Sequence, residues 1–239
     1  MTEMLFRDDP YMAEAEGTIT AHTAEGGVVL DRSPFYPTGG GQPGDSGRLS
    51  WPGGAMTVAT TVKGPDAEIV LVPAEPQPLP PVGARVAQEI DWDRRFGHMR
   101  VHSALHLLSV VIPLPVTGGS ISAAKGRLDF DMPEGPQDKD SLEAELNAMI
   151  DRDLPVCEDW ITEAELQSNP LLVKTLSVAP PRGSGRIRLV GIGEGEDQVD
   201  LQPCGGTHVA RTGEIGRVRL GRVEKKGRQN RRVTVHLDD

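Results

Sequence analysis

Two pairs of metal-binding side chains are spaced four residues apart, His102 with His106 and Cys204 with His208. Around the first pair Val101, Leu105, Leu108 and Ile112 recur at helical spacing, and Pro113 with Pro115 stops the run. Side chains at i and i+4 of a helix stack on one face about a turn apart, so both imidazoles can reach one cation. His98 lies a further four residues back, and periodicity equally permits His98 to pair with His102. The second pair sits in Pro203-Cys204-Gly205-Gly206-Thr207-His208, where two glycines are expected to let the backbone fold tightly so that thiolate and imidazole converge. Three imidazoles and one thiolate suit tetrahedral zinc, whereas magnesium and calcium want oxygen. Cys157 has no such neighbour in sequence and is expected to be a structural thiol. A zinc peptidase would need the Glu of a His-Glu-x-x-His helix, but Met99, Arg100, Ser103 and Leu105 flank His102 and none can act as a base.

A further element is Ser33-Pro34-Phe35-Tyr36-Pro37-Thr38-Gly39-Gly40-Gly41-Gln42-Pro43-Gly44-Asp45-Ser46-Gly47. Consecutive glycines flanked by Thr38, Gln42 and Asp45 let a backbone approach a ligand while short polar side chains read it. The run matches neither the phosphate-loop nor the dinucleotide fingerprint. A tight barrel turn is the competing reading.

The elements that must position these residues fall into two groups. The first ninety or so residues read as short strands, at 18–21, 27–30, 55–62 and 68–72, and predict a small β-barrel domain over 1–90. Residues 73–81 hold five prolines in nine positions, which favours an extended connector. The domain change is expected around Asp91. Beyond it come the histidine helix, an amphipathic helix from Asp140 to about Leu154 with Asp140 and Glu143 as a capping box, and a shorter helix from Thr162 with Glu165 three residues on. Strands are expected at 127–131, 186–192, 199–202, 216–223 and 232–237. The fold class is α+β, with hairpin-like spacing predicting an antiparallel sheet in a domain over 91–239.

At 239 residues the chain can bury a core without staples, and with two cysteines, no signal-like h-region and no apolar run near membrane length it reads as soluble and cytoplasmic. The net charge of −10 argues against a long nucleic-acid groove. From Ala210 onward, however, nine Lys and Arg face four acids, and this stretch follows the Cys204 motif closely. That asymmetry suits a compact anion contact.

His102-Ser103-Ala104-Leu105-His106-Leu107-Leu108, Cys204-Gly205-Gly206-Thr207-His208, the Gly-rich run from Phe35 to Asp45 and the tail Lys226-Gly227-Arg228-Gln229-Asn230-Arg231-Arg232 together resemble the AlaX family of free-standing alanyl-tRNA editing proteins, from about residue 15 to 237. These are relatives of the editing domain of alanyl-tRNA synthetase, and the zinc half is also similar to that of threonyl-tRNA synthetase. The resemblance implies zinc held by His102, His106, Cys204 and His208, with His98 only a neighbour. It places Thr38 and Gln42 against the aminoacyl group. Ser103 stands where relatives often have Thr, which keeps the hydroxyl.

The implied fold is a barrel-like domain with the Gly-rich loop, then an α/β two-layer sandwich carrying the zinc. The implied reaction is deacylation of mischarged tRNA(Ala), chiefly seryl and secondarily glycyl, because a synthetase pocket cannot reject so close an analogue by binding alone. A catalytic zinc normally keeps an open position, so with four protein ligands either one binds loosely, the metal expands its coordination or zinc only organises the pocket, and a role in positioning substrate and water is expected. Lys225, Lys226, Arg228, Arg231 and Arg232 are the expected tRNA contacts, and no protein partner or membrane is implied. The rival is a non-catalytic nucleic-acid-binding module with a structural zinc, which would not require the Gly-rich loop.

Overall fold

The computed structural model describes residues 1–135, 138–174 and 185–238. It divides into two compact units, Met1–Gly97 and His98–Asp239. The content is mixed α and β, with a closed six-strand barrel and antiparallel sheets.

In the first unit the strands are β1 (Glu3–Met4), β2 (Glu14–His22), β3 (Val28–Leu30), β4 (Arg32–Ser33), β5 (Gly47–Trp51), β6 (Gly54–Lys63), β7 (Ile69–Pro73) and β8 (Arg85–Ile90). The barrel closes in the order β2-β3-β7-β6-β5-β8. β8 alternates exposed and buried residues throughout, and its inward Val86 and Ile90 join Phe35, Leu49, Met56, Ile69 and Leu71 in the barrel core. Strands β5 and β8 lie outside the sequence expectation because Gly, Ser and Gln interrupt their apolar pattern.

The Gly-rich run leads into β5 and is held from beneath. Asp45 accepts the Tyr36 N–H at 2.6 Å and forms a fully buried ion pair with Arg95, whose guanidinium also donates to the Pro34 carbonyl at 2.7 Å. A buried pair of this kind persists only when its remaining hydrogen-bonding capacity is met, as it is here by backbone groups. At the tip, Gly39 and Gln42 exchange two backbone hydrogen bonds of 3.0 Å, and the intervening Gly40 and Gly41 both have positive φ, 58° and 84°. Such a two-residue turn demands glycine-like freedom at both positions. Gly44 answers a different need, for a Cβ there would lie 1.9 Å from the Thr61 carbonyl oxygen.

The second unit takes most of α1 (Trp92–Val111), then β9 (Val116–Ile121), β10 (Lys125–Asp131), α2 (Lys139–Asp151), β11 (Val156–Thr162), α3 (Glu163–Ser168), β12 (Arg186–Ile192), β13 (Asp200–Pro203), β14 (Val218–Leu220), β15 (Glu224–Lys226) and β16 (Asn230–Leu237). One sheet runs β14-β16-β10-β9 with β15 on β16, and another runs β11-β12-β13. α1 meets β10 at Gly126, where a Cβ would stand 2.5 Å from Val101 and 2.9 Å from Leu105. That close approach needs a glycine.

Three expectations are corrected. α2 is capped by Asp138, whose carboxylate accepts from the N–H groups of Asp140 and Ser141, while Glu143 instead accepts from Leu220 N at 2.7 Å. The strand expected over 216–223 shortens to Val218–Leu220, because residues 212–215 form a 3₁₀ turn that ends on Gly216 with φ 71°. β9 and β11 were not expected: β9 carries two adjacent glycines, and β11 is an edge strand exposing Glu158, Asp159 and Trp160. The Thr162 capping box with Glu165 forms as expected. No described helix is long and apolar enough to cross a membrane.

Candidate metal centre

α1 presents His102 and His106 one turn apart, both more than nine-tenths buried. The chain leaves β13 at Pro203, and Cys204 is fixed there by its N–H to the Arg188 carbonyl at 3.2 Å. Arg188 in return donates to the carbonyls of Cys204 and Gly206, both at 2.9 Å, and pairs with Glu158. The result is a turn clamped from β12. Neither Gly205 nor Gly206 has positive φ, and a Cβ on Gly205 would meet nothing within 4 Å. The clamp from Arg188, not glycine freedom, thus sets the turn, and Gly205 is exposed.

The donor atoms of His102, His106, Cys204 and His208 all lie within 4.8 Å of one another. This is the one group of its kind among the described residues, and His98 is outside it. The Cys204 sulfur stands 3.5 Å from Nε2 of His102 and 3.3 Å from Nε2 of His208. Bond lengths of zinc to nitrogen and sulfur give tetrahedral edges of about 3.4 to 3.6 Å, which the two sulfur–nitrogen separations approach while the full spread of 4.8 Å is wider, and the donor set suits that ion.

Two imidazoles are held from behind. Nδ1 of His106 lies 2.9 Å from Asp200, and Nδ1 of His208 lies 3.1 Å from the Ser103 hydroxyl, which leaves both Nε2 atoms for the cluster. Burial pushes the His106 imidazole down, but the Asp200 hydrogen bond and the Cys204 sulfur outweigh it and lift it to about 9. Burial would push the Cys204 thiol up, yet the neighbouring His102 and His208 rings hold it well below the ordinary thiol range. Burial, with His102 adding to it, carries His208 down to about 3. Without a metal these neighbours favour the thiolate of Cys204 and the protonated form of His106.

The other residues singled out in the sequence lie elsewhere. In the first unit, Thr38 is exposed at the loop, where its hydroxyl donates to the Thr61 carbonyl at 3.2 Å and accepts the Gly44 N–H at 2.8 Å. The Gln42 side chain is fully buried. In the second unit, Lys225, Lys226 and Arg228 are exposed on the hairpin between β15 and β16. Arg232 turns back to Asp129 with bonds of 2.7 and 2.9 Å, and Arg231 donates to the carbonyls of Asn230 and Pro133. Cys157 donates to Glu194 at 3.0 Å, and that bond, with burial, pushes its thiol up to about 11.

Sequence reasoning missed Asp200, Gln202 and Lys174. The signal was present for two of them: Asp200 and Gln202 alternate inward along β13, at i−4 and i−2 from Cys204.

The chain thus pairs a closed barrel with a unit that carries a buried His/Cys cluster. Residues 187–234 match the family described as the threonyl and alanyl tRNA synthetase second additional domain, and residues 9–94 match class II (A) tRNA synthetases. The chain is 34% identical to alanyl-tRNA editing protein AlaX-M of Methanosarcina acetivorans over the full length of both. It is 33% identical to AlaX-L of Pyrococcus horikoshii, covering 98% of this chain and 57% of that one. It is also 35% identical to the alanine–tRNA ligase of Pyrobaculum arsenaticum, covering 94% of this chain and a quarter, 25%, of the ligase. The chain belongs to the AlaX family of alanyl-tRNA editing proteins.

Proposed function

We propose that this chain hydrolyses the ester that joins a wrong amino acid to the 3′ end of tRNA(Ala), with serine the chief substrate and glycine the second. In this reading residues 1–90 form the loop-bearing domain and residues 91–239 the zinc-binding editing domain. The observation that carries it is the convergence of His102, His106, Cys204 and His208 in a chain whose full-length relative is named an alanyl-tRNA editing protein. That full-length likeness supports catalysis over a binding module with a structural metal.

The four donors would hold zinc, which when bound supplies a Lewis acid and lowers the pKa of an adjacent water. With all four ligands from the protein, the cluster's first task is to organise the pocket. Asp200 and Ser103 hold two rings in place.

Thr38 and Gln42 read the amino acid. The Thr38 hydroxyl has one lone pair taken by Gly44 N–H, and the second would accept the hydroxyl hydrogen of serine. Alanine, lacking that hydroxyl, would not make this bond, and the penalty grows to the extent that bound substrate shields Thr38 from water. Lys225, Lys226 and Arg228, exposed and close together, contact phosphates of the acceptor end, while Arg231 and Arg232 brace the hairpin that carries them.

The deciding experiment incubates the protein with tRNA(Ala) carrying serine, glycine or alanine, with and without a chelator. Release of serine and glycine, sparing of alanine and loss of activity with chelator are expected. A chain that leaves seryl-tRNA(Ala) intact in the presence of zinc would refute the proposal.

A further inference from the structure

Behind His106 lies a polar network that the local motifs do not predict. The Asp200 side chain is completely buried, yet it makes three contacts: to His106 Nδ1 at 2.9 Å, from Gln202 Nε2 at 2.8 Å, and from Lys174 Nζ at 2.5 Å. Gln202 Nε2 also reaches the Ser109 hydroxyl at 3.4 Å, and Ser109 in turn donates to the His106 carbonyl at 2.7 Å. Lys174 is anchored through its own carbonyl, which accepts the Val116 N–H at 3.0 Å. A carboxylate removed from water in this way needs a counter-charge and a full set of donors, and the network supplies both.

The division of labour between the two carboxylate oxygens is informative. Oδ1 takes Lys174, while Oδ2 takes His106 and Gln202. The ammonium thereby pins one oxygen and fixes the direction of the other. An imidazole whose Nδ1–H is accepted by that oxygen has its proton on the far side of the ring from the cluster, so the Nε2 lone pair points at the other three donors.

We infer that Asp200, pinned by Lys174 and Gln202, is a positioning residue that sets the tautomer and ring orientation of His106 for metal binding. The inference rests on the proposed metal role of the cluster and extends it to three residues outside the ligand set. It concerns affinity for the metal and requires no step of the hydrolysis.

The test uses the full chain stripped of metal, with Asp200→Ala, Asp200→Asn and Lys174→Met. Zinc dissociation constants come from competition with a chromophoric chelator, the Co2+ absorption spectrum reports coordination geometry, and melting of the metal-free chain reports the fold. Asp200→Ala is expected to weaken zinc binding by roughly 10- to 100-fold, as removal of such outer partners typically does. Asp200→Asn keeps a carbonyl for the Nδ1–H and should recover part of that loss. Lys174→Met should give a smaller loss than Asp200→Ala with a shifted Co2+ spectrum.

Wild-type zinc affinity in Asp200→Ala would overturn the inference. So would equal losses of metal-free stability and affinity in all three variants, for the carboxylate would then serve the fold alone. If Asp200→Ala fails to fold, Asp200→Asn decides: weakened zinc binding at wild-type stability supports the inference, and unchanged binding or failure to fold overturns it. Absence of zinc binding by the wild-type chain would instead remove the metal reading itself. Failure of the wild type to release serine from tRNA(Ala), with zinc bound, would end the proposed reaction and leave the affinity result standing.

Discussion

The Ser103 hydroxyl stands 3.1 Å from Nδ1 of His208 and also accepts the backbone N–H of Val209 at 3.2 Å. One side chain of α1 thereby fixes both the ring of a cluster residue and the backbone just after it. Ser103→Ala should weaken zinc binding by about 10-fold, the lower end for removal of an outer partner. Ser103→Thr, which keeps the hydroxyl, should retain most of the affinity. Chelator competition on both variants checks this, and equal affinities in Ser103→Ala and wild type would show that the hydroxyl serves only Val209.

Cys204→Ala should lower zinc content and deacylation together, because the remaining three imidazoles lose the only thiolate in the cluster. Metal analysis of the purified variant is decisive. Equal zinc in variant and wild type removes Cys204 from the ligand set.

Metal uptake should release a proton. In the metal-free chain the lift of His106 to about 9 favours its protonated form at neutral pH, whereas His208 is carried down to about 3 and the Cys204 thiol is held well below its ordinary range. A ligand with a raised pKa must lose its proton to bind, so affinity should rise with pH up to about 9 and fall below it. Calorimetry at pH 7 in buffers of different ionisation enthalpy should count about one proton released from His106 per zinc. Zero would contradict the protonated state of His106.

Replacing Lys225, Lys226 and Arg228 with neutral residues should weaken tRNA binding and flatten its salt dependence by roughly 0.7 to 0.9 in log–log slope for each phosphate no longer neutralised. Arg232→Ala should act differently, since it removes one of the two arginines on the partly buried Asp129, leaving Arg127 at 3.2 Å, and so lowers stability more than the salt slope. Binding isotherms at several salt concentrations separate the two, and an unchanged slope in the triple variant would mean that those cations are only solvated.

Thr38→Val keeps shape and removes the hydroxyl. It should slow release of serine with zinc content unchanged, and lower stability by about 1 kcal/mol or somewhat more by removing the bonds to Thr61 and Gly44. A variant that melts earlier yet releases serine at the wild-type rate and still spares alanine would confine Thr38 to holding the loop, and Gln42 would be the next residue to substitute.

Much of this was legible in the sequence because it is local. An i, i+4 pair on a helix meets on one face by the geometry of the helix itself, so the sequence offered His102 with either His106 or His98, and the folded cluster takes His106. The barrel strands β2, β3, β6 and β7, the strand β12 and the Thr162 cap were likewise visible, since inward alternation and cap chemistry repeat over a few residues. Strands that broke those rules were not: β9 has adjacent glycines and β11 keeps polar residues on an open edge.

Partners far apart in the chain emerge only once it is folded. Asp200 meets His106 across 94 residues and Ser103 meets His208 across 105, separations over which periodicity carries no information. Cap choice followed the same logic, for Glu143 was drawn from the α2 terminus to Leu220 by a strand 77 residues away. Within the basic tail, composition treated five cations alike, but ladder register turned Arg232 toward Asp129, while Lys226 pairs with Glu224 at 2.8 Å and Lys225 and Arg228 stay exposed. Local chemistry in the chain thus settles which donors exist and which neighbours share a face. The packing of α1 on β10 and the pairing of β12 with β13 choose which distant groups stand behind them, because strand register and close backbone approach are properties of two segments at once.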